Sequence, residues 1–539
     1  MRIKKSLRLL TAGFLTAFAL VMTGAVSTEA DVVEAAGGAT VNHCVINGSN
    51  VVVNASVSAS SEDGMLYLFA EPIYSDGITT SPVATAPAGA VAAFTTPLNA
   101  NQANSRLYSK FIVAAKQGGA FVPLNTGAYI TNPEAIASHS FPRSNAGKKG
   151  LLINPDYLTT NEFANLGVKQ AIYNIPLSNI IGPTTHAMYP TINYSYNGKN
   201  YQFNGLVVAE YDHVFGNLTN KGIAVTATLL NNNNGRAPHM IHPLSRDGRA
   251  CPYYAFNVAE QAGVEQLQAT AAFLAERYSG RGHGKVENWI VGNEVTARLE
   301  WNYINVQDIN AYVNEYAEAY RLIYNGIKSK NANANIYICI DQQWDRNRNE
   351  IGKYDSKDLI DVFNANIATG GNIDWGLAVH PMPVPLTWAA YWTGGAYYKN
   401  LVKHNVKSAY VTMENIEVTT DYMCRPELLS PTGQVRSIIA SEVGYTSGQG
   451  EQMQAAAFAH GYMQAANNQH IDAFLLSRQT DDPHEIAQGL PFGIENVDHS
   501  HKLVYDFYKN IDTPNAAPYL EQAKAIMGIA DWGQVITAR

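Results

Sequence analysis

Trp289-Ile290-Val291-Gly292-Asn293-Glu294 is an apolar, strand-forming run that turns at a glycine and ends in a glutamate. Ser437-Ile438-Ile439-Ala440-Ser441-Glu442-Val443-Gly444 has the same build. Short apolar runs bounded by turn signals read as strands buried on both faces, as a parallel sheet requires. Parallel strands bring their C-terminal ends to one side. A glutamate closing each of two such strands therefore places two carboxyl groups on a shared rim.

Working outward, eight runs of this kind follow residue 149: 150–154, 170–174, 223–229, 286–291, 335–340, 374–379, 437–441 and 471–477. Amphipathic helical periods fall between most of them, at 264–278, 306–329 and 452–468, and the series closes with 502–511. This alternation predicts an α/β architecture, and eight repeats favour a closed (β/α)8 TIM barrel over a doubly wound open sheet. Two connections are long. One, 189–205, reads as a hairpin around Asn197-Gly198, and 231–257 follows the third strand. Long loops on this side are expected to build a substrate cleft.

Ahead of the barrel, 36–135 alternates polar and apolar residues with turn signals at Asp63-Gly64, Asp76-Gly77 and Gln117-Gly118-Gly119. Such spacing predicts an all-β, immunoglobulin-like sandwich domain. The stretch 136–149, rich in Ser, Gly and Lys, reads as a linker to a barrel domain over 150–539. Residues 1–35 carry Arg2, Lys4, Lys5 and Arg8, then an apolar stretch, then small residues near Ala30 and Ala35. That is the build of a cleaved export signal, a retained membrane anchor being the alternative. A secreted or cell-surface location is expected, with no stable membrane association once the signal is removed.

The 539 residues are 46% hydrophobic and 15% charged, with a net charge of −8. The core is ample, and the mild acidity argues against a nucleic-acid partner. The four cysteines, Cys44, Cys251, Cys339 and Cys424, lack zinc-like spacing and read as buried thiols or one incidental bridge. Gly280-Arg281-Gly282-His283-Gly284 follows a helix and precedes a strand, the reverse of a dinucleotide-binding loop. No phosphate-binding loop, zinc-protease motif or nucleophile elbow is present. The sequence calls for no cofactor and no metal.

Two carboxyl groups roughly 5 Å apart are what cleavage of a glycosidic bond with retention needs, one protonated and one ionised. At this point the residues acquire a resemblance. The chain looks like the clan A (β/α)8-barrel retaining glycoside hydrolase superfamily, whose members end strand four in Asn-Glu and strand seven in Glu. By that resemblance Glu294 is the general acid/base, Glu442 the nucleophile, and Asn293 a donor to the sugar 2-hydroxyl. Within the superfamily the chain is most similar to a secreted bacterial group known only as a domain of unknown function. That likeness covers most of 150–513, including Ala272-Phe273-Leu274-Ala275-Glu276-Arg277-Tyr278.

Other residues are weighed against structural roles. His380, in Val379-His380-Pro381 at the sixth strand, either flanks the nucleophile or packs. Trp301, Trp344, Trp388, Trp392 and Tyr445 follow strand ends and offer sugar-stacking platforms or core packing. Arg236, His239, His242 and Arg246 suit an acidic sugar or a solvated loop. Asp481, Asp482 and Glu485 form an acidic loop able to hold a cation, contact sugar hydroxyls or stay solvated. Glu414 and Glu417 read as a solvated helix face. Many superfamily members close strand eight with Trp, whereas this chain has Phe474-Leu475-Leu476-Ser477-Arg478. The expected function is a secreted retaining glycoside hydrolase acting on an oligo- or polysaccharide. The alternatives are a non-catalytic carbohydrate-binding or surface protein on the same scaffold, and a lyase or transglycosylase using the same acid pair.

Overall fold

The computed structural model describes residues 37–144, 147–346 and 352–539. The expected export signal over 1–35 lies outside the described residues. Seven strands come first: β1 (Ala39–Asn47), β2 (Asn50–Val57), β3 (Met65–Glu71), β4 (Ala84–Pro87), β5 (Val91–Pro97), β6 (Lys110–Gln117) and β7 (Ala120–Pro123). They form two antiparallel sheets, β1-β2-β5 and β4-β3-β6-β7. Period-two alternation sets which face is inward: Val51, Val53, Ala55 and Val57 of β2 are buried, as are Leu66 and Leu68 of β3.

The barrel strands are β8 (Lys149–Leu152), β9 (Gln170–Pro176), β12 (Ala224–Leu230), β13 (Asn288–Val291), β14 (Asn335–Ile340), β15 (Gly376–Val379), β16 (Ile438–Val443) and β17 (Ile471–Leu476). All eight expected strands are present, parallel and closed, with β17 pairing to β8. Ile172, Ile290, Tyr337, Cys339, Ala378, Ile439, Ala473 and Leu475 fill the interior. Two glycines make that filling possible. A Cβ on Gly376 would stand 2.4 Å from the Tyr337 ring, and one on Gly150 would stand 2.2 Å from Leu475 Cδ2.

β10 (Ile192–Tyr196) and β11 (Lys199–Phe203) form the predicted hairpin, its turn residues Asn197 and Gly198 at φ 47° and 76°. Both values are left-handed, as a two-residue turn matching strand twist demands. This hairpin was expected to wall the cleft, but it supports the sandwich instead. The Tyr196 hydroxyl lies 2.5 Å from that of Tyr108, and Tyr194 donates to Glu276 on the barrel helix Gln261–Arg277.

The sandwich is correspondingly fused to the barrel shell. Asn325 donates to the Leu107 carbonyl, Tyr129 N–H donates to the Gly370 carbonyl, and the Arg321 guanidinium lies over the Tyr129 ring. One hydrophobic core runs through both regions. The stretch read as a linker is docked as well. Arg143 donates to the Glu287 carbonyl at 2.8 Å and to Asn288 Oδ1 at 2.7 Å, and Ser144 N–H donates to Glu287. Its polar side chains find partners on the N-terminal mouth of the barrel, a surface invisible to a composition argument.

Candidate active site

Each glutamate sits where its strand departs from regular geometry. After β13 the chain turns through Gly292 (φ 76°) and Glu294 (φ 36°). A left-handed glutamate costs on the order of 1 kcal/mol or more, and such strain clusters at functional sites. Bonds on both sides hold it: Gly292 N–H donates to Leu229, Val295 N–H to Cys339 and Ala297 N–H to the Glu294 carbonyl. Glu442 lies in a β-bulge. Ala440 faces Phe474 and Val443 faces Leu476, so Ser441 and Glu442 together oppose Leu475. The extra residue lets both side chains line a pocket with Leu152, Ile172, Asn174, Ser477 and Arg478.

His380 joins the two acids. Its Nδ1 is 2.8 Å from Glu294 Oε1 and 3.7 Å from Glu442 Oε2. The two carboxyl oxygens are therefore separated by at most about 6.5 Å, the upper edge of the gap between retaining and inverting spacings. Both acids keep an open side, at 20% and 25% side-chain exposure, whereas His380 is buried. Beneath the ring, Cys339 Sγ lies 3.3 Å from Nε2. In the imidazolium both ring nitrogens carry protons, so Nε2–H points at the Cys339 sulfur and Nδ1–H at Glu294.

Electrostatics follow from this crowding. Burial opposes charging His380, but the Cys339 sulfur and the Glu442 and Glu294 carboxylates outweigh it and hold the imidazole well above its ordinary range. Burial raises the Glu442 pKa. The His380 and Arg478 cations oppose that rise and the Glu294 charge reinforces it, leaving a net upward shift. A third acid, Asp341, follows β14 and accepts from Gln343 and Ser356; burial first and Glu294 second push it upward.

Arg478 occupies the strand-eight position where tryptophan was looked for. It pairs with Glu485 and lies 3.7 Å from Asp482. The acidic loop thus divides by role. Asp481 binds Lys502 at 2.7 Å and accepts from Gly493 N–H. Asp482, expected to contact substrate, caps the helix Pro483–Ile486 through the N–H groups of His484 and Glu485. Burial pushes Glu485 up to about 7 against the opposing Arg478 charge, with Glu442 and Asp482 adding to the rise.

The aromatic candidates separate equally. Trp301 stacks at a tilt on Tyr253, 5.9 Å between rings, and Tyr253 is close enough for the Glu442 charge to help burial raise its phenol to about 12. Asn231 fixes the loop that delivers Tyr253 by donating to the carbonyls of Met240 and Ala255. Trp388 and Trp392 are half-buried, and Trp388 donates to Thr393. Trp344 and Tyr445 are corrected to packing residues. Trp344 is buried edge-on to Tyr422 with its indole N–H on the Val406 carbonyl, and buried Tyr445 lies against Gly461 of the helix Glu451–Ala466. Asn293 is buried beside Glu294.

Charged residues on the outer loops also settle into structure. Arg246 pairs with Glu260 and His242 with Glu315. Glu417 is not on a solvated face; it is buried and pairs with His404 at 2.6 Å, while Glu414 is half-buried. All four cysteines are free. Cys339, Asp341, Tyr253 and Arg478 are the site residues missed in the sequence. The first two were available from the rule that identified Glu294, since they end strand five.

The chain is similar in fold to several solved structures. A family 39 glycoside hydrolase of Bacteroides cellulosilyticus shares 14% identity over 88% of this chain and 80% of its own, with a TM-score of 0.43. The Ignisphaera aggregans family 53 catalytic domain shares 11% over 71% and 94%, TM-score 0.39. A family 1 β-glucosidase of Thermotoga maritima shares 13% over 70% and 88%, TM-score 0.38. At these identities neither substrate nor mechanism follows from the likeness. No curated protein matches the sequence. Residues 141–535 match the family of unknown function DUF5722, and the chain belongs to that family.

Proposed function

We propose that this protein is an exported glycoside hydrolase that cleaves an oligo- or polysaccharide with retention of configuration. The observation that carries the proposal is the pair of glutamates ending β13 and β16, held within about 6.5 Å through one histidine. Glu442 attacks the anomeric carbon and forms a glycosyl ester, while the bond to the leaving oxygen breaks and takes a proton from Glu294. Glu294 then removes a proton from water, whose oxygen displaces Glu442 and regenerates both acids. His380, kept cationic beside Glu442, opposes the neutralisation that burial favours in the group that must be ionised to attack.

A panel of dinitrophenyl glycosides identifies a substrate, and variants then assign the roles. Glu442→Gln is expected to lose turnover by several orders of magnitude on every substrate. Glu294→Ala should keep the first step on an activated leaving group, and added azide should yield a glycosyl azide of retained configuration. An azide product of inverted configuration, or a Glu442→Gln enzyme near wild-type rate, refutes the assignment.

A carbohydrate-binding protein without turnover is the second reading. Arg478 favours it, because a guanidinium hydrogen-bonded to Glu485 lines the pocket where an aromatic floor was expected. Saturable glycan binding with no hydrolysis by either wild type or variants would select it.

A further inference from the structure

We propose a divalent transition-metal site, of zinc or manganese type, formed by Glu162, Glu495 and His501 at the seam where the barrel closes. One donor atom from each of the three lies within 4.8 Å of the others. Three atoms so spaced can surround a common centre at about 2.8 Å. Zinc bonds carboxylate oxygen and imidazole nitrogen at about 2.0–2.2 Å, so each donor would move inward by about 0.6–0.8 Å.

Glu495 supplies the independent sign that something is bound. It is wholly buried, and its Oε2 accepts from Tyr157 and Thr480, but its Oε1 has no hydrogen-bond partner. Among the described residues neither Glu162 nor Glu495 pairs with a Lys or Arg, and the His499 ring lies 3.6 Å from Glu495 Oε2, on the side away from the unpartnered Oε1. A buried carboxylate oxygen without donor or counter-charge is costly, and a bound cation removes that cost.

The backbone holds the donors in place. Glu495 and His501 face each other in an antiparallel bridge, and Glu495 also bridges Thr480. The His501 ring stacks on Tyr505 at 3.5 Å, and Tyr505 donates to Glu162. Two carboxylates and one imidazole give a charge of −2 and a mixed O/N set, which suits zinc or manganese better than calcium or magnesium. His501 is exposed, leaving room for water ligands. Glu162 follows β8 and the other two donors follow β17, so the ion would clamp the first barrel unit to the last. Glu162 is far in sequence from Glu495 and His501, so no ligand motif announces the set.

The test uses the full chain, stripped with EDTA and dialysed against ZnCl2, MnCl2 or CaCl2, with bound metal measured by mass spectrometry. One zinc or manganese per chain is expected, with a rise in Tm on metal addition. His501→Ala, a change at an exposed side chain, should weaken uptake by at least about tenfold and remove the Tm rise. Glu162→Gln should act in the same direction, covering the case in which Glu495→Gln fails to fold. Wild-type protein that takes up no metal, takes up calcium alone, or binds zinc equally well in both variants overturns the site.

Discussion

Replacing His380 tests the electrostatic core of the proposed mechanism. His380→Gln removes a cation 3.7 Å from Glu442 and keeps a donor of similar reach toward Glu294. At that separation a unit charge stabilises a carboxylate by about 1 kcal/mol in bulk water and about 4 kcal/mol at the effective dielectric of a partly buried site. Each 1.36 kcal/mol is one pKa unit, so the Glu442 pKa should rise by about 1 to 3 units in the variant. The sign follows from the loss of an opposite charge, which favours the neutral acid. Glu442 must be ionised to attack, so activity disappears as pH falls through its pKa. The readout is the acid limb of kcat/KM on a dinitrophenyl glycoside. That parameter reports steps through formation of the glycosyl ester, and the activated leaving group needs little help from Glu294. The limb should start above pH 4.5 in the wild type, because Glu442 is already raised, and move further up in the variant. A limb that stays in place, or moves to lower pH, refutes a cationic His380 beside the nucleophile.

Two stability predictions follow from packing and charge. Gly376→Ala places a methyl group 2.4 Å from a Tyr337 ring that Ser437 and Asn288 hold by its hydroxyl, so overpacking should cost about 1–3 kcal/mol in urea unfolding; unchanged stability would show that the ring yields. Glu485 keeps its proton up to about pH 7, whereas the unfolded chain loses it near 4.5. Stability should therefore fall as pH rises between those values, and Glu485→Gln should flatten that part of the curve; a variant with the wild-type slope removes Glu485 as the cause.

The barrel was legible because its strands are buried on both faces. Residues such as Ile290, Ile338 and Ile439 form unbroken apolar runs with no competing period, and each run is followed by a turn or helix signal. The sandwich was legible from the opposite pattern, alternation, with Val51, Val53 and Ala55 inward. How the two fit together was not. Arg321, Tyr129, Tyr108 and Tyr196 create the junction, and each has a composition equally suited to a surface or a local core. The hairpin β10–β11 was placed correctly in the chain and assigned to the wrong face, because strand and turn chemistry fix its shape but not what it rests on.

Glu294 and Glu442 were legible for a related reason: a glutamate has few structural reasons to end an apolar strand. The same logic fails for Arg478, where the expectation of an aromatic residue turned attention to its absence rather than to the charge present. It also fails for Asp481 and Asp482, neighbours with the same side chain. One is a buried ion-pair partner of Lys502 and the other a helix cap, and only the positions of Lys502 and His484 N–H separate them. Sequence spacing identifies which strand end a residue occupies, but the charge state it adopts there depends on partners from other strands. Glu442 is the clearest case. Its strand supplies the carboxyl group, while β15 supplies His380 and the turn after β17 supplies Arg478, the two cations that oppose its neutralisation by burial. A carboxyl group set among such partners belongs to the closed barrel rather than to any one segment.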